Sequence, residues 1–401
     1  GGTSAKGDVE VFSWWTGGGE AAGLEAMIKV FKAKYPDANF VNAAVAGGAG
    51  TNARAVLATR LQANQPPDSF QGHAGQELIG TYVAAEQLEP LNQLFKDIGL
   101  TDKLPKTLIP LISQGDDIFS VPVNIHRANV LWYNPKVLGD NGIEPPTTWD
   151  EFFVAAEKLK AAGVIPLALG EQWTAMHLFE GVLLGSLGAD KYNALWLAGA
   201  DWGSADVTKA IENYKKVLEY TNDDATSLTW QDASKLVADG QAAMNIMGDW
   251  ADGYFSGTVE GGNLALTPGT GYGWAPVPGT KGIFQFLSDS FTLPKGAPHP
   301  DNAKAWLTVA GSKEGQEAFN PVKGSICART DCDPSLFNAY LKTAITDWSQ
   351  DTIVGSLTHG VVAADPYKAK INDAVGFFLS DRDGAAFQKA LVDGYSAAGP
   401  K

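Results

Sequence analysis

The chain has 401 residues, with 45 acidic against 30 basic side chains and a formal net charge of −15. That balance argues against nucleic acid and against an anionic membrane surface, both of which would repel it. No apolar run approaches the roughly 18 residues needed to span a bilayer, so a water-soluble chain is expected, and its length favours two lobes over a single core.

The opening residues 1–7 read as a processed or engineered end, which leaves room for a secretory signal already removed. Val9 and Val11 alternate as in a strand, and Leu24, Met27, Ile28 and Phe31 recur at helical spacing until Tyr35-Pro36 stops them. Val41, Ala43 and Val45 suggest a second strand. Val56, Leu57 and Leu61 lie on one face of a helix over 53–64, and Pro66-Pro67 ends it before a short strand at 68–71. Strand, helix, strand, helix, strand is the rhythm of a doubly wound, mainly parallel sheet.

After Leu91 the rhythm loosens. Residues 118–122 and 129–133 read as strands with no helix between them, which places a crossing to a second lobe there. Thr148 and Glu151 have capping-box spacing at the head of a helix that runs to Gly163; a strand at 164–169 comes next, and Glu171-Gln172-Trp173 follows its end. Helices dominate 178–240, the clearest over 213–220. A Gly- and Pro-punctuated tract at 269–282 separates a strand at 272–276 from one at 284–293, which reads as a return crossing, and Pro298 to Asn302 opens a further helix.

Cys327 and Cys332 are the only cysteines, in a polar stretch with Arg329, Asp331 and Pro334. Two ligands make no zinc site, so a disulfide closing a surface loop is expected, and with it an oxidising compartment such as the periplasm. The five histidines (His73, His126, His177, His299 and His359) show no metal-binding spacing. No metal or other cofactor is expected. Gly47-Gly48-Ala49-Gly50 lacks the lysine and spacing of a phosphate loop and reads as a tight turn.

The chain's 12 tryptophans carry the most information. Trp14-Trp15 follow Val9-Glu10-Val11-Phe12-Ser13, and Trp250 follows Met244-Asn245-Ile246-Met247-Gly248-Asp249, so indoles stand where open α/β sheets bind ligands. In extended backbone the tandem pair points to opposite sides, so one of the two can be core. Other candidates fall at strand ends as well: Glu20, Gln71 and His73 early, Gln172, Trp173 and Trp230 later, then Asp289, Lys323 and His359. Indoles cover the apolar faces of a pyranose, while carboxylates, amides and a lysine satisfy its hydroxyls. A glycosidase using Glu20 and Asp289 as its carboxylate pair is the enzymatic alternative, and a binder of oligosaccharides or of another small solute such as a peptide or polyamine is a third.

The order of motifs resembles the extracellular solute-binding proteins of ABC sugar importers, in the branch related to maltose-binding protein. Val9 to Trp15 followed by a helix ending Phe31-Lys32-Ala33-Lys34-Tyr35-Pro36 is similar to that family's first strand and helix. Residues Ile118-Phe119-Ser120-Val121-Pro122-Val123 resemble its first interlobe crossing. Ser288-Asp289-Ser290-Phe291-Thr292-Leu293-Pro294-Lys295-Gly296, with Ser312-Lys313-Glu314-Gly315-Gln316, resembles its return strand and a helix motif. Phe70-Gln71-Gly72-His73, Met247-Gly248-Asp249-Trp250, Asn320-Pro321-Val322-Lys323 and Gly355-Ser356-Leu357-Thr358-His359 look like the glucose or glucose/galactose binders.

The resemblance implies two α/β lobes with a ligand cleft between them, residues 1–123 with 286–326 forming one and 124–285 with 327–401 the other. It implies a periplasmic, non-catalytic monomer that binds glucose, with galactose or mannose next, and delivers it to a membrane permease. Glu20, Gln71, His73, Asp289, Lys323 and His359 are then expected to bond hydroxyls, between aromatic walls of Trp14, Trp15, Trp230 and Trp250. The cysteine pair lies outside the family pattern and is expected to stiffen the loop that presents Lys323.

Overall fold

The computed structural model describes residues 5–401, so the processed-end reading of residues 1–7 falls partly outside it. The strand Gly7–Phe12 pairs in parallel with Ala38–Asn42 on one side and Ser69–His73 on the other. Asp289–Phe291 and then Val121–Pro122 complete a five-stranded sheet. Between the first two strands runs the helix Gly18–Lys34, whose Leu24, Met27, Ile28 and Phe31 are all buried. Phe31 meets Trp306 of the Pro300–Ala310 helix edge to face, with ring centroids 5.9 Å apart.

A second sheet has the order Gly273–Pro276, Val130–Tyr133, Ala242–Ile246, Ile165–Ala168. A third, smaller one is ordered Ile326–Cys327, Asn124–Arg127, Ile283–Leu287, Thr352–Gly355. Two of its strands, Asn124–Arg127 and Ile283–Leu287, come from immediately beside the segments where the chain leaves and re-enters the first sheet. No helix among the described residues is long and apolar enough to cross a membrane.

Several local expectations are corrected. The strand read at 284–293 is two strands broken at Ser288. Its hydroxyl donates to the Asn124 carbonyl at 2.6 Å, while the Asp289 N–H donates to Asn124 Oδ1 at 2.8 Å. This polar stitch turns the chain from the third sheet into the first. The segment 118–122 likewise divides into Asp117–Ile118 and Val121–Pro122. The second strand ends at Asn42, although Ala43 and Val45 still donate to Val11 and Ser13 at 3.0 and 2.8 Å. The strand Asn124–Arg127 was not anticipated because its buried residues are mostly polar, so no apolar alternation marks it.

The expected capping box at Thr148 is half formed. Thr148 accepts the Glu151 N–H at 3.1 Å, but the Glu151 carboxylate takes the N–H and hydroxyl of Thr147 instead, at 2.8 and 2.9 Å. A complete box forms at Thr229 and Asp232, which fixes the first turn of the Trp230–Ala238 helix and so the position of Trp230. Cys327 and Cys332 form a disulfide with Cα atoms 6.5 Å apart.

Candidate functional site

Three of the indoles arrive at the first turn of a helix, and two of those helices directly follow a strand. Trp230 opens Trp230–Ala238, Trp250 opens Trp250–Ser256, and Trp173 is the second residue of Gln172–Leu187. Glu20 lies in the first turn of Gly18–Lys34, where the helix dipole favours a carboxylate. These helix starts converge on one cavity of about 240 Å³. It is lined by Trp14, Trp15, Glu20, His73, Trp230, Trp250, Asp289, Lys323 and His359, together with His126, Glu171, Trp173, Thr229 and the turn 46–49.

The tandem tryptophans divide as the alternation requires. Trp15 is 1% exposed and packs against Phe291 and Phe319, with centroids 5.7 and 5.1 Å away. It forms a floor beneath Lys323, whose ammonium stands 5.3 Å above the ring. Trp14 is less buried and tilts against His73 at 5.1 Å. Gly50 presses its backbone against the Trp14 ring: at φ +96° a Cβ there would come within 2.7 Å of the indole, so only glycine fits.

Gln71 does not line the cavity. Its carboxamide donates to Asp289 Oδ1 at 2.8 Å and accepts the Trp14 N–H at 3.2 Å, so it holds two cavity residues in place. Asp289 Oδ2 accepts Asn124 Nδ2 at 2.9 Å. Each Asp289 oxygen therefore keeps a lone pair for a guest.

Lys323 is 1% exposed and contacts Glu20 Oε2 and His126 Nε2, each at 3.1 Å. These use two of its three N–H bonds and leave one for a ligand. His126 is buried, and desolvation together with the Lys323 charge holds its pKa well below the ordinary value. A neutral ring facing the Lys323 donor must leave Nε2 bare, so its proton sits on Nδ1, towards Asp249 Oδ1. Burial raises the Glu20 carboxyl, and Lys323 pulls it back down.

His73 faces Glu77 Oε1 through Nδ1 at 2.9 Å, leaving Nε2 towards Asp289 Oδ1 at 3.5 Å. Glu77 also meets Arg54 and Lys368, at 3.3 and 3.5 Å. Burial would lift the Glu77 carboxyl, but His73, Arg54 and Lys368 together hold it well below the carboxylate range. The lining therefore offers the acceptor oxygens of Glu20 and Asp289 beside the one free Lys323 donor. A guest must supply several O–H or N–H groups and present apolar faces to the indoles.

His177, Glu180 and His359 have the chemistry of a metal-ligand set, with donor atoms within 4.8 Å of one another. Their bonding does not suit an ion. His177 Nδ1 and His359 Nε2 are at hydrogen-bond distance, 2.9 Å, and the Glu180 oxygens already accept from Ser356 Oγ, Leu357 N and Thr358 N.

His126 and the groups behind the lining (Glu77, Asn124, His177 and Glu180) carry no sequence signal of their role. The only cue is that His126 follows the first crossing. A second, outer chamber of about 590 Å³ shares Gly48, Ala49, Glu171 and Trp173 with this cavity and is bordered by Arg54, Gln172, Asp365, Lys368 and Asn372.

The sequence pattern of the bacterial extracellular solute-binding proteins matches residues 16–317. An uncharacterized ABC transporter extracellular-binding protein of Pyrococcus horikoshii is 36% identical over 382 residues, covering 94% of this chain and 84% of its own. A probable sugar-binding periplasmic protein of Brucella melitensis is 34% identical over 384 residues, covering 92% and 87%. The glucose-binding protein GlcS of Saccharolobus solfataricus is 25% identical over 383 residues, covering 90% and 68%. A structure solved in work on xylan utilization by Caldanaerobius polysaccharolyticus superposes with a TM-score of 0.84 at 18% identity, over 96% of this chain and 98% of that one, a likeness of fold alone.

Proposed function

Because the chain belongs to the bacterial extracellular solute-binding proteins, we propose that it captures one monosaccharide, glucose before galactose or mannose, and passes it unaltered to an ABC importer. The observation that carries this reading is the cavity of about 240 Å³ with indoles on its walls and the carboxylates of Glu20 and Asp289 beside the single free N–H of Lys323. A pyranose donates from every hydroxyl and offers C–H faces to aromatic planes. The glucose-binding relative supports the choice of sugar. The glycosidase alternative is set aside, since the family to which the chain belongs binds solutes and does not transform them.

Capture works by closure of two lobes, residues 1–123 with 286–326 and residues 124–285 with 327–401, the third sheet taking up the bend. A sugar touching Glu20 and His73 on one side and Trp230 and Trp250 on the other favours the closed arrangement by its differential affinity. Closure is then the signal a permease reads. A monomer on the periplasmic or extracellular side, where the disulfide persists, fits this role.

Calorimetry against hexoses and disaccharides is the test. The reading expects one-to-one binding with glucose tightest. The outer chamber of about 590 Å³ favours a second reading, in which a longer saccharide extends past Trp173. Tighter binding of maltose than of every monosaccharide would select that reading and refute the first.

A further inference from the structure

Two histidines meet at the cavity wall, and only one reaches the cavity. His359 is a lining residue; His177 stands behind it and is 1% exposed. His177 and Glu180 lie one turn apart on the Gln172–Leu187 helix, and both grip the loop that carries His359. Glu180 Oε2 accepts the N–H groups of Leu357 and Thr358 at 2.7 and 2.8 Å, and Ser356 Oγ bridges Glu180 to the His359 N–H at 3.0 and 3.1 Å. The loop backbone is therefore fixed against the helix.

The protons follow in order from a group that can only accept. His177 Nε2 lies 2.9 Å from the Ala128 carbonyl oxygen, so Nε2 carries a proton. Burial pushes the His177 pKa down to about 4, which keeps the ring neutral and Nδ1 bare. Nδ1 lies 2.9 Å from His359 Nε2, which must then donate. His359 is itself held neutral by burial and by the neighbouring histidines. Its one proton is thus used on His177, and its Nδ1 has no partner among the described residues.

We propose that His177 is a positioning residue: it fixes His359 as a pure acceptor, so that this point of the cavity admits only a ligand group that donates, such as a sugar hydroxyl. The inference rests on His359 contacting the sugar of the proposed function. One position of the hexose should therefore tolerate fluorine poorly, because fluorine keeps the size of a hydroxyl but brings no proton to the bare nitrogen.

The tautomer is read first, without ligand, by long-range proton–nitrogen NMR of the full chain: His359 should carry its proton on Nε2. Glucose and its monodeoxyfluoro analogues are then titrated into wild type, His359→Ala, His177→Phe and His177→Gln. One analogue should bind wild type about tenfold more weakly than glucose or worse, a penalty that His359→Ala abolishes. His177→Phe removes the acceptor for Nε2–H and should reduce the penalty at least about threefold while mixing the tautomers. In His177→Gln the carboxamide both donates to Ala128 and accepts from His359, so the penalty should persist. A proton on His359 Nδ1 in wild type, or a full penalty in His177→Phe, would overturn the inference. If His359→Ala changes neither glucose affinity nor the fluorine pattern, the sugar contact itself fails and the inference with it.

Discussion

Lys323 shows how tightly this site is wired at the level of single residues. Its ammonium is almost fully withdrawn from water, and it is the ion partner of Glu20 and the donor to His126. Removing one member of a buried, hydrogen-bonded charge pair costs several kcal/mol, because the other charge stays buried. Lys323→Met is therefore expected to weaken sugar binding about 100-fold and to lower stability by about 3 kcal/mol, measured by calorimetry and urea unfolding. Unchanged affinity would remove Lys323 from the site.

Burial also sets a pH dependence. It pushes the Asp252 carboxyl from its ordinary 3.8 up to about 6, against the Tyr272 hydroxyl at 2.5 Å and the Asn338 amide at 2.9 Å. Between those values the folded state holds a proton that the unfolded state has released. Stability from this group is therefore full below pH 4 and falls as pH rises to 6, by up to about 3 kcal/mol. Urea unfolding of Asp252→Asn should gain on wild type by that amount between pH 4 and 8, and a constant difference would contradict the assignment.

Many of the residues that line the cavity were legible in the sequence, and their division of labour was not. Gln71 and His126 can each both donate and accept, yet one supports the wall and the other lines it. Pattern alone cannot separate a group that touches a guest from a group that holds one.

At the level of elements, the meeting of three helices is decisive. Gly18–Lys34, Trp250–Ser256 and Lys313–Lys323 approach backbone to backbone around Lys323. A Cβ on Gly253 would fall 2.7 Å from the Val322 carbonyl oxygen, and one on Gly19 would fall 2.9 Å from the Gly253 carbonyl carbon. Glycine is required for that approach, and Gly253→Ala should force the helices apart at a cost of about 1–3 kcal/mol. Calorimetry should then show sugar affinity reduced about tenfold, while unaltered affinity would mean that the contact plays no part in closure.

The disulfide makes a useful contrast. Lys323 ends a helix and is gripped by Glu20 and His126, while Asn320 and Ser325 bond each other at 2.6 Å across the helix end. Its position therefore does not need the Cys327–Cys332 bridge that the sequence suggested would stiffen it. The double variant Cys327→Ser/Cys332→Ser should lose about 2 kcal/mol of stability, as a loop this short implies, and keep its affinity within about twofold. A tenfold loss in calorimetry would restore the stiffening role. Strands with apolar alternation, such as Gly7–Phe12, were readable from the sequence. Asn124–Arg127 was hidden because three of its four buried side chains are polar and satisfied by hydrogen bonds, leaving Ile125 alone in the apolar core.

Across the whole molecule, the doubly wound start, the first crossing and the return were visible because the rhythm of strand and helix changes at each. The switch of sheets at Ser288 was not, since it depends on Asn124, which is 164 residues distant. The same long-range pairing brings Trp14, His73 and Asp289 to face Trp230 and Trp250 across one cavity. The central claim is that this cavity holds a single sugar between two closing halves.

A crystal structure of the protein grown with glucose tests that claim most directly. The account predicts one pyranose in the cavity of about 240 Å³, its faces against indoles and its hydroxyls donating to Glu20, Asp289 and His359, with Lys323 donating to one of its oxygens. A cavity left without sugar at saturating glucose, or a sugar bound elsewhere, would contradict it.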